Sequence, residues 1–359
     1  RDHARDRGAR DVPAMTEEAE VLFERRGALG LITLNRPKAL NALTQGMCVA
    51  MKAQLDEWAK DDAFKSVAIR GNGDRAFCAG GDIRALYESG KAKTPYALQF
   101  YRDEYILNAT IKRYPKPYIA LIHGIDMGGG VGVSVNGSHR IAGESMVFAM
   151  PETGIGLFPD VGGSYFLPRC PGQLGMFLGL TGARLKTTDS LYAGIATDFV
   201  PMAHWEMLLT ALADGTAPDT AIAGLKDSVP DTFLAEHRDA IDRTFGQGSV
   251  EDILAALDAE HTDWAKDTAN TIRAKSPTSL KIAFRQIREG KSLSFDECMK
   301  MEYRMVNRIV AGRDFYEGVR AVIIDKDNAP KWQPAALSGV SAADVDAYFA
   351  PLGEKELKL

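Results

Sequence analysis

Apolar positions along this chain follow two spacings. Short, bulky runs at residues 29–34, 66–70 and 118–122 have the length of buried strands. A first strand precedes the run at 29–34 across Arg25-Arg26-Gly27, and Pro37 in Asn35-Arg36-Pro37-Lys38 ends the second. Between these runs the period changes to that of a helix. Met47, Met51, Leu55 and Trp58 share one helical face, and Thr44 stands where an N-cap belongs. From 201 to 275 alternation fades and glycine is scarce, which predicts helices packing through residues 207–212 and 253–257.

Two turns that lead from a strand into a helix are rich in glycine: Ala79-Gly80-Gly81-Asp82 and Gly128-Gly129-Gly130. Glycine in a helix interior costs about 1 kcal/mol relative to alanine. A triple glycine at a helix start therefore implies close helix packing or a ligand that approaches the backbone. First-turn N–H groups are free and lie at the positive end of the helix dipole. Two such turns can offer two donors to one oxygen, the composition of an oxyanion hole. Glu152 and Asp160 follow in the glycine- and proline-rich segment PETGIGLFPDVGG. Apolar surroundings raise carboxyl pKa values and suit such groups to act as acid, base or nucleophile. An acid in a loop also forms turns or caps helices, the structural reading of Asp82.

A length of 359 residues, 45% of them hydrophobic and 25% charged, allows one large domain or two ordinary ones around a sizeable core. The net charge of −5 argues against a general nucleic-acid binder, which needs a basic surface. No apolar run approaches the ~20 residues of a membrane span. Cys48, Cys78, Cys170 and Cys298 lack CxxC spacing and read as free thiols, and the six histidines lack metal-ligand spacing. His123 reads as a core histidine with one hydrogen-bond partner. Residues 1–14 mix Arg with Asp, unlike a transit or signal peptide, and are expected to be a disordered tail or cloning scar before Met15.

Three segments together resemble the crotonase (enoyl-CoA hydratase/isomerase) superfamily: ITLNRPKALNAL at 32–43, DRAFCAGGDI at 74–83 and HGIDMGGGVG at 123–132. The resemblance implies an α/β fold, a crotonase-like spiral of ββα repeats, over residues 15–200. A helical C-terminal region with a hydrolase-type tail would follow at 201–359. It also implies an acyl-CoA ligand whose thioester oxygen accepts from the N–H groups of Gly81 and Gly129. Hydratases carry a glutamate directly after the triple glycine, where this chain has Val131. Asp160 stands instead where hydratases commonly have glycine. Pro151 to Gly163, the segment Arg102-Asp103-Glu104-Tyr105, and the tail DFYEGVRAVIIDKDNAPKWQP are similar to the 3-hydroxyisobutyryl-CoA hydrolases.

That similarity implies thioester hydrolysis in valine catabolism, with Glu152 and Asp160 catalytic. Glu104, Gly129, Glu152 and Asp160 would contact the substrate. No cofactor or metal is expected, CoA being part of the substrate. Neither nucleic acid nor membrane is an expected partner, while a homo-oligomer is possible. The expected location is the cytoplasm, or the mitochondrial matrix in a eukaryote. Two alternatives stay open: an enoyl-CoA isomerase or hydratase, and a binding module on the same fold without catalysis. Lys38 and Arg84 are candidates for CoA phosphates, although exposed cations are more often simply solvated.

Overall fold

The computed structural model describes residues 18–230 and 232–359, so the expectation for residues 1–14 lies outside the described residues. Ten strands among them form two sheets. These are β1 (Val21–Arg26), β2 (Leu29–Leu34), β3 (Ser66–Gly71), β4 (Ala76–Cys78) and β5 (Tyr118–Ile122). They continue with β6 (Ile125–Met127), β7 (His139–Ala142), β8 (Val147–Ala149), β9 (Leu185–Lys186) and β10 (Asp198–Phe199). The larger sheet runs β1-β2-β3-β5-β7-β10 and the smaller β4-β6-β8-β9.

Consecutive strands divide between the two sheets. β3, β5 and β7 lie parallel in the larger one, while β4, β6 and β8 lie parallel in the smaller. After β4 come the helices Ile83–Ala92 and Tyr96–Lys112; after β6 comes Gly129–Ser134; after β8 come a 3-10 turn at Glu152–Ile155 and a short helix at Gly163–Phe166. Each turn of chain thus adds one strand to each sheet before turning helical. The fold is the expected α/β spiral.

Both faces of the larger sheet are buried, which is why its strands read as unbroken apolar runs. Along β5, Tyr118, Ala120 and Ile122 join the main core. Ile119 and Leu121 point the other way, into a second cluster with Leu208, Leu209, Leu212 and Ile222. Full burial of each such aliphatic side chain is worth about 1.5–3 kcal/mol. The predicted packing stretch at 207–212 therefore works through its leucines, while Met207 is exposed. At 253–257 the buried positions are Ile253, Leu254 and Leu257.

Local signals behave as expected. Thr44 accepts from the Met47 N–H at 3.2 Å and starts the helix Gln45–Lys60, with Met47, Met51, Leu55 and Trp58 buried. Asp82 caps Ile83–Ala92 by accepting from Ala85 at 3.3 Å. His123 is buried, its Nε2 2.8 Å from the Gly73 carbonyl. The four cysteines are free and buried. No described helix is long and apolar enough to cross a membrane.

Candidate active site

A cavity of about 480 Å³ opens where the two glycine turns face the loop that follows β8. Gly81, Gly129, Glu104, Glu152 and Asp160 all line it.

The glycine turns form one wall. Gly128 turns the chain at φ +51°, and the helix begins at the next residue. The N–H groups of Gly81 and Gly129 have no acceptor among the described residues. A Cβ on Gly129 would stand 3.2 Å from the Gly81 nitrogen and 2.6 Å from Oε1 of Glu104. The two donors are therefore neighbours, and a Cβ at position 129 would press on the Glu104 carboxyl group. Gly130 meets the other requirement, because a Cβ there would come within 2.3 Å of the Cys78 carbonyl oxygen. Ligand access and close packing thus fall on adjacent glycines of one run.

Acids line the cavity beside these turns, a Cβ on Gly128 standing 3.6 Å from Oε1 of Glu152. The helix Tyr96–Lys112 buries Phe100, Tyr101, Glu104, Tyr105 and Asn108 along one face, bringing Tyr101 and Glu104 to the cavity. Glu152 opens a 3-10 turn after Pro151 and is 3% exposed. Neither of its carboxylate oxygens has a hydrogen-bond partner among the described residues. Asp160, 4% exposed, accepts from the Tyr105 hydroxyl at 2.8 Å.

Burial dominates the electrostatics. It raises Glu104 and Glu152 well above the ordinary carboxyl value, and the Asp160 charge adds to both shifts. Burial pushes Asp160 up to about 7 against the lowering bond from Tyr105. Glu302, in the same neighbourhood, is pushed up to about 8 by burial and by Asp160. Mutual repulsion makes these acids titrate as a group. The site cannot ionise all of them together, so it holds protons at neutral pH. One acid can act as an anion while another donates.

Other residues in and behind the lining carry weaker sequence signals. Lys38 and Arg84 are exposed and lie off the cavity lining, whereas Arg184 and Lys275 are on it. Tyr105 stood in an acidic segment with nothing to distinguish it from a core aromatic. Glu302 had a clearer mark. It shares the apolar stripe of Cys298, Met305 and Ile309 on the helix Phe295–Ala311, an ionisable group at a core position. Among the described residues no three His, Cys, Asp or Glu side chains converge to hold a metal ion.

The sequence model of the enoyl-CoA hydratase/isomerase family matches residues 29–349. The chain belongs to that family. Within it, the chain is 53% identical over 351 residues to the mitochondrial 3-hydroxyisobutyryl-CoA hydrolase of Danio rerio, covering 95% of this chain and 92% of that protein. Two solved structures are similar over 95% of this chain, each with a TM-score of 0.90. One is a carnitinyl-CoA dehydratase from Mycobacterium thermoresistibile, 42% identical and covered over 99% of its length. The other is an enoyl-CoA hydratase from Rhodobacter sphaeroides 2.4.1, 40% identical and covered completely, at 100%. The family members' names therefore divide between thioester hydrolysis and chemistry at a carbon–carbon double bond.

Proposed function

We propose that this enzyme hydrolyses the thioester of 3-hydroxyisobutyryl-CoA to 3-hydroxyisobutyrate and CoA, a step of valine catabolism. The observation that carries the reading is the pairing, in one cavity, of two unengaged backbone donors with a buried, unpartnered carboxylate at Glu152. The similarity to a named hydrolase supports the substrate. Val131 argues against hydration. It is fully buried where a hydratase needs its second glutamate, and it does not line the cavity.

In this reading the thioester oxygen accepts from Gly81 and Gly129 N–H, which stabilise the negative charge that builds on it. The ionised Glu152 attacks the carbonyl carbon, forming a mixed anhydride as the C–S bond breaks. The departing CoA thiolate takes a proton from the acid cluster. Water then cleaves the anhydride and restores Glu152. Asp160, titrating near neutrality, orients the substrate hydroxyl or the water and passes the proton. The location follows the substrate: the cytoplasm of a bacterium or the mitochondrial matrix of a eukaryote.

The test is CoA release, read as free thiol, from 3-hydroxyisobutyryl-CoA beside crotonyl-CoA. Thiol release from the first without hydration of the second is the expected result; the reverse overturns the assignment. Turnover in oxygen-18 water tests the covalent step. Label entering the Glu152 carboxylate is expected. Acid-quenched enzyme carrying neither label nor an acyl group makes Glu152 a general base instead.

A further inference from the structure

The loop carrying Asp160 is held in a conformation it would not choose alone. Val161 has φ +51° and Gly162 φ +97°, consecutive left-handed residues of which the first is β-branched. Such a backbone persists only where its surroundings over-determine it. Much of that surrounding comes from two helices far along the chain, Pro277–Gly290 and Phe295–Ala311. Glu302 is fully buried. Its Oε2 accepts from the Gly162 N–H at 3.0 Å and its Oε1 from the Ser164 N–H at 3.0 Å. Gln286, also fully buried, donates to the Pro159 carbonyl and to the Ser164 hydroxyl, the latter at 2.8 Å. Asn136 holds the Val161 carbonyl from the spiral side at 2.9 Å. The bonds from Glu302 and Gln286 thus bracket Asp160, one donor reaching the residue before it and two acceptors the turn after it.

A buried carboxylate is a costly way to close a four-residue helix, since a neutral side chain or water can serve a helix start. What the carboxyl group adds is two oxygens in fixed geometry for the N–H groups of Gly162 and Ser164, two positions apart. We propose that Glu302, assisted by Gln286, is a positioning residue of the hydrolytic site, fixing the backbone from Pro159 to Ser164 and thereby the Asp160 carboxylate. The inference rests on the reading of Asp160 as a working acid of the reaction. It makes the C-terminal region part of the active site through hydrogen bonds to backbone, without contact between Glu302 and substrate.

The experiment is a double-mutant cycle on the full-length enzyme, with Glu302→Gln, Asp160→Asn and the pair assayed for CoA release from 3-hydroxyisobutyryl-CoA. The glutamine places an NH2 against an N–H that needs an acceptor, so the loop shifts. Displacement on the order of an ångström should lower kcat about ten- to a hundredfold. KM should stay within about threefold, because the glycine wall is untouched. In the Asp160→Asn background Glu302→Gln should cost less than about threefold more, since residues acting as a unit are not additive. A merely structural role predicts multiplying losses in the double variant, and that result overturns the proposal. So does an undiminished kcat in Glu302→Gln. Where Glu302→Gln fails to fold, Gln286→Met loosens the other end of the loop, and the same cycle with Asp160→Asn applies. Full activity in Asp160→Asn overturns the reading of Asp160 and this inference with it. Loss there with multiplying losses in the pair overturns this inference alone.

Discussion

The two walls of the cavity are built on different principles. The glycine wall is made by the spiral itself: β4 and β6 lie parallel, and the turns that follow them bring Gly81 and Gly129 together as backbone donors. Its chemistry needs no side chain. The acid wall follows β8 in the same spiral, yet its loop is braced by the C-terminal helices. The Ser276 N–H donates to the Thr153 carbonyl at 3.1 Å, Gly318 lies against the backbone of Ile155, and Glu302 and Gln286 hold the Asp160 loop. A fold can thus keep its polarising donors on the rigid repeat and vary its reaction through an acid loop supported from outside that repeat.

The largest expected effect lies on the acid wall. Glu152→Gln keeps the shape and removes the proposed nucleophile, so turnover should fall by roughly a thousandfold or more while CoA binding persists. Calorimetric titration with CoA separates lost chemistry from lost binding. Retention of turnover would leave the acid wall without its reacting group.

On the glycine wall a proline at 129 would remove the donor, but it also carries a Cβ that presses on the Glu104 carboxyl group. Gly129→Ala carries the same Cβ against Glu104 but keeps the N–H, so comparing the proline and alanine variants isolates the lost donor. Loss of a donor's geometry costs about 3 kcal/mol, or roughly a hundred- to a thousandfold in kcat. A proline variant with near wild-type kcat would remove Gly129 from the mechanism.

Asp160 and Asp126 sharpen the contrast further. Each is buried, pushed up to about 7, and accepts from a hydroxyl, Tyr105 for the one and Ser134 at 2.7 Å for the other. Only Asp160 lines the cavity. Asp160→Asn should lower kcat by roughly a hundredfold, and Asp126→Asn by less than about threefold. In Asp160→Asn the surviving activity should reach to lower pH, because the charge that raises Glu152 is gone. Stability should move oppositely to activity. A folded-state pKa above the unfolded value near 3.8 gives stability that is complete below pH ~4 and lost as pH rises through about 7. Asp160→Asn should therefore raise Tm at pH 8 and leave it little changed at pH 4, as thermal melts at both values would record. Equal Tm shifts at the two pH values would contradict the raised pKa.

An effect between those of Asp160→Asn and Asp126→Asn belongs to Tyr105→Phe, which deletes the hydroxyl that Asp160 accepts from. A roughly tenfold fall in kcat is expected, with the Asp160 titration moving to higher pH because the bond lowers that pKa. An unchanged pH profile would make Tyr105 a packing residue only.

Local order determined much of this protein before any tertiary contact. The strands at 29–34 and 118–122, the helix begun by Thr44, and both glycine turns follow from apolar runs, caps and turn residues whose preferences act over a few positions. The glycines and the acids of the PETGIGLFPDVGG segment already marked residues that the fold brings to one cavity. Tertiary structure alone decided which buried acids share the cavity. Asp126, on β6, is placed against Gly130 and off the lining, whereas the loop after β8 carries Asp160 into the pocket. It also decided the roles of Glu302 and Gln286, whose partners lie more than a hundred residues earlier. Hydrogen bonds to backbone N–H and C=O groups require no particular side chain at the receiving end. Such a pairing therefore leaves no mark at the distant residue, and folding is what creates it.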